Sequence, residues 1–209
     1  VELTLKRPDA AVVVLRKALA KANPSQAPER LHMALRLAGK PAEADALATS
    51  LLQSHPNDLL FNFYLGDVAM GQKNYPLAES RYQAVLKISP EHALSLNNVA
   101  WLMMAQKKPG ALAIAERAVR AAPDRPALMD TLAQAYAQEN QLPKALELQK
   151  RAVSLQPDEP TLRLSLAKLY AQAGEKKLAK TELDRLALMG DRFADQAEVA
   201  AVLKSLGGR

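Results

Sequence analysis

Residues 126–159 read PALMDTLAQAYAQENQLPKALELQKRAVSLQPDE, and the spacing inside this stretch decides the fold. Leu132 and Tyr136 stand one helical turn apart and share a face, with the small Ala133 directly after the first of them. Asn140 supplies a residue that tolerates a left-handed turn, and a second periodic segment carries Ala145 and Ala152 before Pro157 ends it. The same beat runs through the chain. Prolines recur at Pro56, Pro90, Pro123 and Pro157 with gaps of 34, 33 and 34 residues, and alanines keep time at Ala44, Ala78, Ala111, Ala145 and Ala179. A fixed period near 34 marks a helix-turn-helix array in which each unit buries its apolar face by stacking on its neighbours.

Alignment on that beat gives five units, residues 25–58, 59–92, 93–125, 126–159 and 160–192, with the third one residue short in its internal turn. Place 7 of each unit reads Leu31, Leu65, Val99, Leu132, Leu166, and place 8 reads His32, Gly66, Ala100, Ala133, Ala167. Place 11 reads Leu35, Ala69, Met103, Tyr136, Tyr170, on the face of place 7 that packs against the partner helix. The second helix carries the small alanine at place 20 and an apolar place 27 at Leu51, Val85, Ala118, Ala152 and Leu186. Small residues at places 8 and 20 let two helices approach closely. Gly39, Asn140 and Gly174 fall at place 15, in the internal turn.

This pattern resembles the tetratricopeptide repeat over residues 25 to 192. The resemblance implies an all-α, right-handed superhelical solenoid of antiparallel helix pairs with about twelve helices. Residues 9–22 read as the second helix of a truncated repeat closed by Asn23-Pro24, so residues 1–24 are expected to be what remains of a unit in a longer protein. Phe193 to Leu206 reads as a C-terminal capping helix, leaving 193–209 as cap and tail. A narrower resemblance lies in Asn97-Asn98-Val99-Ala100-Trp101-Leu102, Lys108-Pro109-Gly110-Ala111-Leu112, Asp130-Thr131-Leu132 and Lys204-Ser205-Leu206. These look like the C-terminal part of the tetratricopeptide lipoproteins encoded with bacterial exosortase and PEP-CTERM sorting systems. That implies a Gram-negative envelope protein tied to exopolysaccharide export or protein sorting, with any membrane attachment through a preceding N-terminal region.

Composition bounds the chemistry. With 28 Lys and Arg against 22 Asp and Glu the net charge is +6, and the charges are interspersed rather than blocked. Solvated helix faces account for them better than a nucleic-acid or acidic-polymer site does. No cysteine is present, which excludes a disulfide framework and cysteine metal sites. His32, His55 and His92 lack metal-ligand spacing, and no HExxH, GxSxG or phosphate loop occurs. His32 reads as a packing residue and the other two as surface loop residues. No catalytic residue, metal, cofactor or small-molecule substrate is expected, and the chain reads as a non-enzyme.

What remains is binding through shape. The register carried over from the family resemblance directs places 2, 5, 9, 12 and 13 of each first helix into a concave groove. It assigns Met33 and Arg36 from the first unit, then Leu60, Phe63, Asp67 and Met70, then Leu94, Asn97, Trp101 and Met104. Asp130, Gln134 and Gln138 follow, and Ser165, Lys168 and Gln172 end the series. Asn97 or Asn98 would hydrogen-bond a peptide backbone. Phe63, Met70, Trp101 and Met104 would form one apolar strip, with Trp101 open as an anchor or closed over as core. The basic clamp by which some relatives hold a C-terminal carboxylate is not reproduced at Asn97, Trp101, Asp130 and Gln134. Three function classes follow: a protein- or peptide-binding scaffold, a spacer that self-associates through its N-terminal edge, and a polymer binder resting on net charge.

Overall fold

A computed structural model describes residues 7–20 and 27–207. Among them it forms twelve α-helices, one short 3₁₀ turn and no strand. The helices are α1 (Pro8–Ala20), α2 (Ala27–Leu37), α3 (Pro41–Ser54), α4 (Leu59–Gly71), α5 (Tyr75–Ile88), α6 (Ala93–Ala105), α7 (Ala111–Ala121), α8 (Pro126–Gln138), α9 (Leu142–Leu155), α10 (Pro160–Gln172), α11 (Lys176–Ala187) and α12 (Gln196–Gly207). They fall into two compact units, residues 1–89 and 90–209. In the second unit every helix packs on its neighbour in sequence and in the first unit all but α3 and α4 do so, and first helices of successive repeats touch, as α6 does α8 and α8 does α10. Nothing in this pattern needs a long-range connection, as a linear stack requires.

The internal turns show why the repeat closes. At place 15 of every repeat, Gly39, Lys73, Lys107, Asn140 and Gly174 adopt positive φ, at 71°, 57°, 54°, 58° and 80°. The next residue returns its N–H to a carbonyl five positions back: Lys40 to Leu35 at 2.9 Å, Asn74 to Ala69 at 2.9 Å, Lys108 to Met103 at 2.8 Å, Gln141 to Tyr136 at 2.8 Å and Glu175 to Tyr170 at 2.9 Å. These are Schellman closures, which satisfy carbonyls that a helix end leaves without partners. The third repeat's missing residue does lie in its turn. Gly110 at φ 91° caps α7, which starts only at Ala111 and has 11 residues. Prolines at the first or second position open α3, α5, α8, α9 and α10, where no N–H is needed.

Packing depends on what faces what across each pair. Place 20 is buried throughout, with Ala44, Ala78, Ala145 and Ala179 at 0% exposure. Place 8 lies against place 24 of the second helix, and their volumes trade. The buried His32 lines the same pocket as Ala48. At Gly66 the ring of Tyr82 comes so close that a Cβ would sit 2.5 Å from it. Ala100 meets Ala115, and Ala167 meets Leu183, in the cores of their repeats. His32 is thus a packing residue, edge-on to the Phe61 and Tyr64 rings, with Nδ1 2.9 Å from the Tyr64 hydroxyl. Burial and the nearby Arg36 charge hold its pKa below the usual value, and burial lifts the Tyr64 hydroxyl to about 12. His92 is no bare loop residue: its ring accepts the Ser95 N–H at 3.3 Å and caps α6.

The C-terminal end departs from the sequence reading in its boundary, while the expected end of the first helix at Ala22 lies outside the described residues. α1 spans Pro8–Ala20 and buries Ala11 and Val12 against Leu31, Leu35 and Ala44. Asn23-Pro24, and Gly208-Arg209 at the other end, lie outside the described residues. The capping helix starts at Gln196 rather than Phe193, because Gly190–Arg192 forms a 3₁₀ turn and Phe193 is extended. Phe193 nevertheless buries its ring beside Leu164, Leu183 and Val199, and Gln196 Nε2 donates to the Leu186 carbonyl at 2.7 Å.

Four substitutions test this packing. Gly66→Ala is expected to cost about 1–3 kcal/mol in a denaturant titration, since the buried Tyr82 ring cannot yield without breaking its own hydrogen bond. Lys107→Gly is expected to gain about 0.5–1 kcal/mol by relieving a left-handed lysine, net of glycine's added chain entropy. Ala145→Leu should cost about 1–3 kcal/mol by overpacking, whereas Arg120→Gln on the exposed side of α7 should stay within about 0.5 kcal/mol. Equal costs for the last two would refute the repeat register.

Candidate functional site

The first-helix faces are ordered by which places turn inward. Place 12 is four residues after the packing place 8 and shares its face. Met104 is accordingly buried, at 6% exposure, among Ala100, Ala111, Ala115 and Leu132. It is core rather than a groove residue, so the apolar strip loses a member. Arg36, also at place 12, turns toward α3, with Nη1 3.7 Å from Asp45 Oδ1 in a pocket it shares with Thr49, Leu52 and Arg81. Place 9 is freer: Met33, Asp67 and Lys168 are exposed, and Trp101 and Gln134 are partly buried.

In the first compact unit Leu60, Phe63 and Asp67 follow one face of α4, and Met70, at place 12 like Arg36 and Met104, is partly buried at the edge of the packing side. Phe63 is partly buried, its ring centroid 5.7 Å from that of Tyr82. Asp67 Oδ1 accepts the Tyr82 hydroxyl at 2.7 Å. In the second compact unit the amide of Asn97 donates to Asn98 Oδ1 at 3.3 Å, while Asn97 Oδ1 is buried without a hydrogen-bond partner. Trp101 sits one turn further along α6 and is partly buried.

In the second unit a cleft of about 190 Å³ lies between α8 and α10. Its lining is Gln134, Ala137 and Gln138 from one helix and Ser165, Lys168, Leu169 and Gln172 from the other. Every polar residue there was assigned to the groove from sequence. Asp130 gathers this wall together. Its Oδ2 accepts from Gln134 Nε2 at 2.6 Å and its Oδ1 from Gln149 Nε2 at 2.7 Å. Burial pushes the Asp130 carboxyl above its usual range, opposed by the bonds from Ser165, Gln149 and Gln134 and by the Lys168 charge. Lys168 Nζ is held by Glu198 of α12 at 2.7 Å.

Gln149 is the residue that sequence reasoning missed. It is fully buried on α9 and its Nε2 also donates to the Leu162 carbonyl at 2.9 Å, so one amide ties α8, α9 and α10. The available signal was a polar side chain at place 24, where other repeats carry Ala48, Ala115 and Leu183. Tyr82 is the other exception at that place, and it too bonds an aspartate of the first helix.

The tetratricopeptide repeat family profile matches residues 33–93 and 102–160, more than half of the chain. The chain belongs to that family. No curated protein matches it. Among solved structures, a thermophilic tetratricopeptide protein of Thermus thermophilus is 21% identical, with a TM-score of 0.67 over 85% of this chain and 98% of its own. YrrB, a tetratricopeptide protein described as having an unusual peptide-binding site, is 16% identical with a TM-score of 0.67 over 93% of this chain and all of its own. A chain of the APC/C hetero-tetramer Cut9–Hcn1 reaches a TM-score of 0.74 at 16% identity, over 97% of this chain and 40% of its own. At such identities the likeness is one of fold. Among the described residues no helix is long and apolar enough to cross a membrane, and no group of three His, Asp or Glu is placed to hold a metal.

The sign of the Asp130 shift fixes a pH test. With its native pKa above the ordinary 3.8, the folded state keeps the proton over the interval between the two values. The Asp130 contribution to stability is therefore full below that interval and is lost as pH rises through the native pKa. Unfolding free energies of the native chain and of Asp130→Asn, measured across acidic pH, should diverge with the native chain losing ground as pH rises. The opposite slope would contradict the assignment.

Proposed function

We propose that the protein is a non-catalytic scaffold that holds an extended peptide or protein segment on its first-helix faces, with the α8–α10 cleft as a principal contact. The observation that carries this reading is the cleft itself. Two successive first helices line it with two kinds of neutral hydrogen-bonding group and one ammonium. Such a wall suits a polar chain, and tetratricopeptide arrays serve widely as protein-binding surfaces. YrrB, similar in fold, is described as carrying a peptide-binding site.

Within the second unit Asn97, Asn98 and Trp101 on α6 are proposed as further contacts, and in the first unit, taken by itself, Met33 on α2 with Phe63 and Asp67 on α4. A place in bacterial exopolysaccharide export or exosortase-linked sorting is part of the proposal, supported by the sequence resemblance of Asn97 to Leu102 and its companion stretches. Exopolysaccharide and exosortase genes beside the parent gene would support that setting, and their absence would remove it.

The scaffold reading is tested by substitution on both helices of the cleft. Gln134→Ala and Gln172→Ala should each weaken a bound partner, measured by calorimetry, with little change in melting temperature. Trp101→Ala carries a second expectation. Because the indole is only partly buried, its loss should cost less stability than the about 3–5 kcal/mol of a core aromatic. It should weaken a partner that reaches α6 by about 2 kcal/mol. A full core-sized loss of stability would take Trp101 out of the binding surface.

A further inference from the structure

We infer that the pocket lined by α2, α3, α4 and α5 is a binding site for a small organic anion, a carboxylate or phosphate group carried on a short apolar body. The pocket lies in the first compact unit, on the side of α2 that faces α3, and shares no residue with the α8–α10 cleft.

Positive charge is in excess there. Two guanidiniums, Arg36 of α2 and Arg81 of α5, line the pocket against a single carboxylate, Asp45 of α3. Asp45 neutralises neither of them fully, because its side chain is 71% exposed and its Oδ1 stops 3.7 Å from Arg36 Nη1, beyond hydrogen-bond distance. Gln72 accepts from Arg36 when its amide oxygen faces that group, yet a guanidinium carries more N–H groups than these two neighbours can take. Among the described residues no carboxylate pairs with Arg81, and its contact with Asn62 Oδ1 is long, at 3.5 Å. Both arginines are partly buried, so solvent ions screen them less than they screen charges on an open helix face.

His32 adds a third donor. Its ring is almost fully buried, and its Nδ1 lies 2.9 Å from the Tyr64 hydroxyl. Burial and the Arg36 charge disfavour the imidazolium, and a neutral imidazole has one N–H and one bare nitrogen. If Tyr64 donates to Nδ1, the ring proton sits on Nε2 and is the one hydrogen still without a partner. The other tautomer strands the tyrosine hydrogen and a bare Nε2 together, so the first is favoured. Nε2–H is then the polar group that His32 brings to the pocket it lines.

Leu52, Leu65, Val68 and Leu77 make the rest of the wall apolar. The volume of about 190 Å³ exceeds the roughly 150 Å³ that accommodates benzene in a protein core, so an anion with one small ring fits. A bare inorganic ion would leave the leucines uncovered. A neutral hydrocarbon would leave the donors unanswered, and an amine would meet two like charges.

The probes are phenylacetate and phenyl phosphate, with acetate, inorganic phosphate and benzyl alcohol as controls, each titrated into the intact protein by calorimetry. At least one aromatic anion should bind about tenfold or more tightly than every control, and the tighter of the two identifies the preferred head group. It should shift the His32, Leu52 and Leu77 resonances and leave those of Gln134 and Gln172 in place. Arg81→Met keeps the aliphatic stem, drops the charge and should weaken the anion by about tenfold, the worth of a hydrogen bond to a charged group. Arg36→Met makes the same test if Arg81→Met fails to fold.

The charged groups around His32 give a second readout. Arg36 and Arg81 oppose its protonation and Asp45 favours it, while Tyr64, with its pKa lifted to about 12, stays neutral. A bound carboxylate adds negative charge beside the ring, so the His32 titration midpoint should rise, and phenylacetate should bind more tightly as pH falls through that midpoint. Equal affinity for the aromatic anions and benzyl alcohol, an unmoved His32 midpoint, or affinity that survives loss of either arginine in a folded protein would overturn the anion site. So would the absence of binding by both aromatic anions at millimolar concentration.

Discussion

Close approach of the two helices in each repeat is the constraint on which everything else depends. The helices can touch only where little side chain stands between them, and the buried alanines at place 20 provide that contact, at 0% exposure in four repeats and 7% at Ala111 in the third. At the second contact, between places 8 and 24, the requirement is one of total volume. His32 is admitted because Ala48 is small, and Tyr82 because Gly66 has no side chain. A tight interior tolerates a large group on either side but not on both. This explains how a histidine and a tyrosine can occupy otherwise small or aliphatic places without opening the pair.

The turn is held to one geometry for the same reason. If the two helices must meet at fixed places, the connection between them has to deliver the second helix at a fixed angle. Five Schellman closures with a left-handed residue at place 15 do so. Lys73 and Lys107 adopt that conformation at a cost that glycine would avoid. The shape is thus imposed by packing on either side, and a poor local choice is carried by the array. The third repeat shows the limit of that tolerance. One residue fewer removes the start of α7, yet Lys107 and Ala111 both keep their roles.

Much of this was legible in the chain because periodicity reports on burial. The repeats, the turn glycines, the closing prolines and the core places all follow from spacing, whereas the polar residues that line the α8–α10 cleft were assigned to a groove by the register that the family resemblance implies. What was not legible had two physical causes. Lysine carries no signal for positive φ, so Lys73 and Lys107 were silent. A register taken from related proteins sorts places but not the tilt of a helix, so it put Met104 and Arg36 on an open face. Four residues from place 8 is the packing side, and there a methionine is drawn into the core and an arginine reaches back to Asp45.

The distinction between core and surface places also explains where recognition is built. A polar group at a core place must find its hydrogen-bond partner nearby, because leaving it alone costs about 1–3 kcal/mol. In this chain the nearest candidates at place 24 are acids on the first helix, so Tyr82 takes Asp67 and Gln149 takes Asp130. Each such pair carries the order of the core outward to the face that a partner would meet. At Asp130 the carboxylate then captures Gln134 as well, and a surface side chain that would otherwise rotate acquires a fixed orientation. Under the proposed scaffold reading, ordering that group before a partner arrives would remove part of the entropy that binding has to offset. The buried glutamine, on a helix that does not line the cleft, thereby fixes the conformation of one section of an otherwise ordinary polar face.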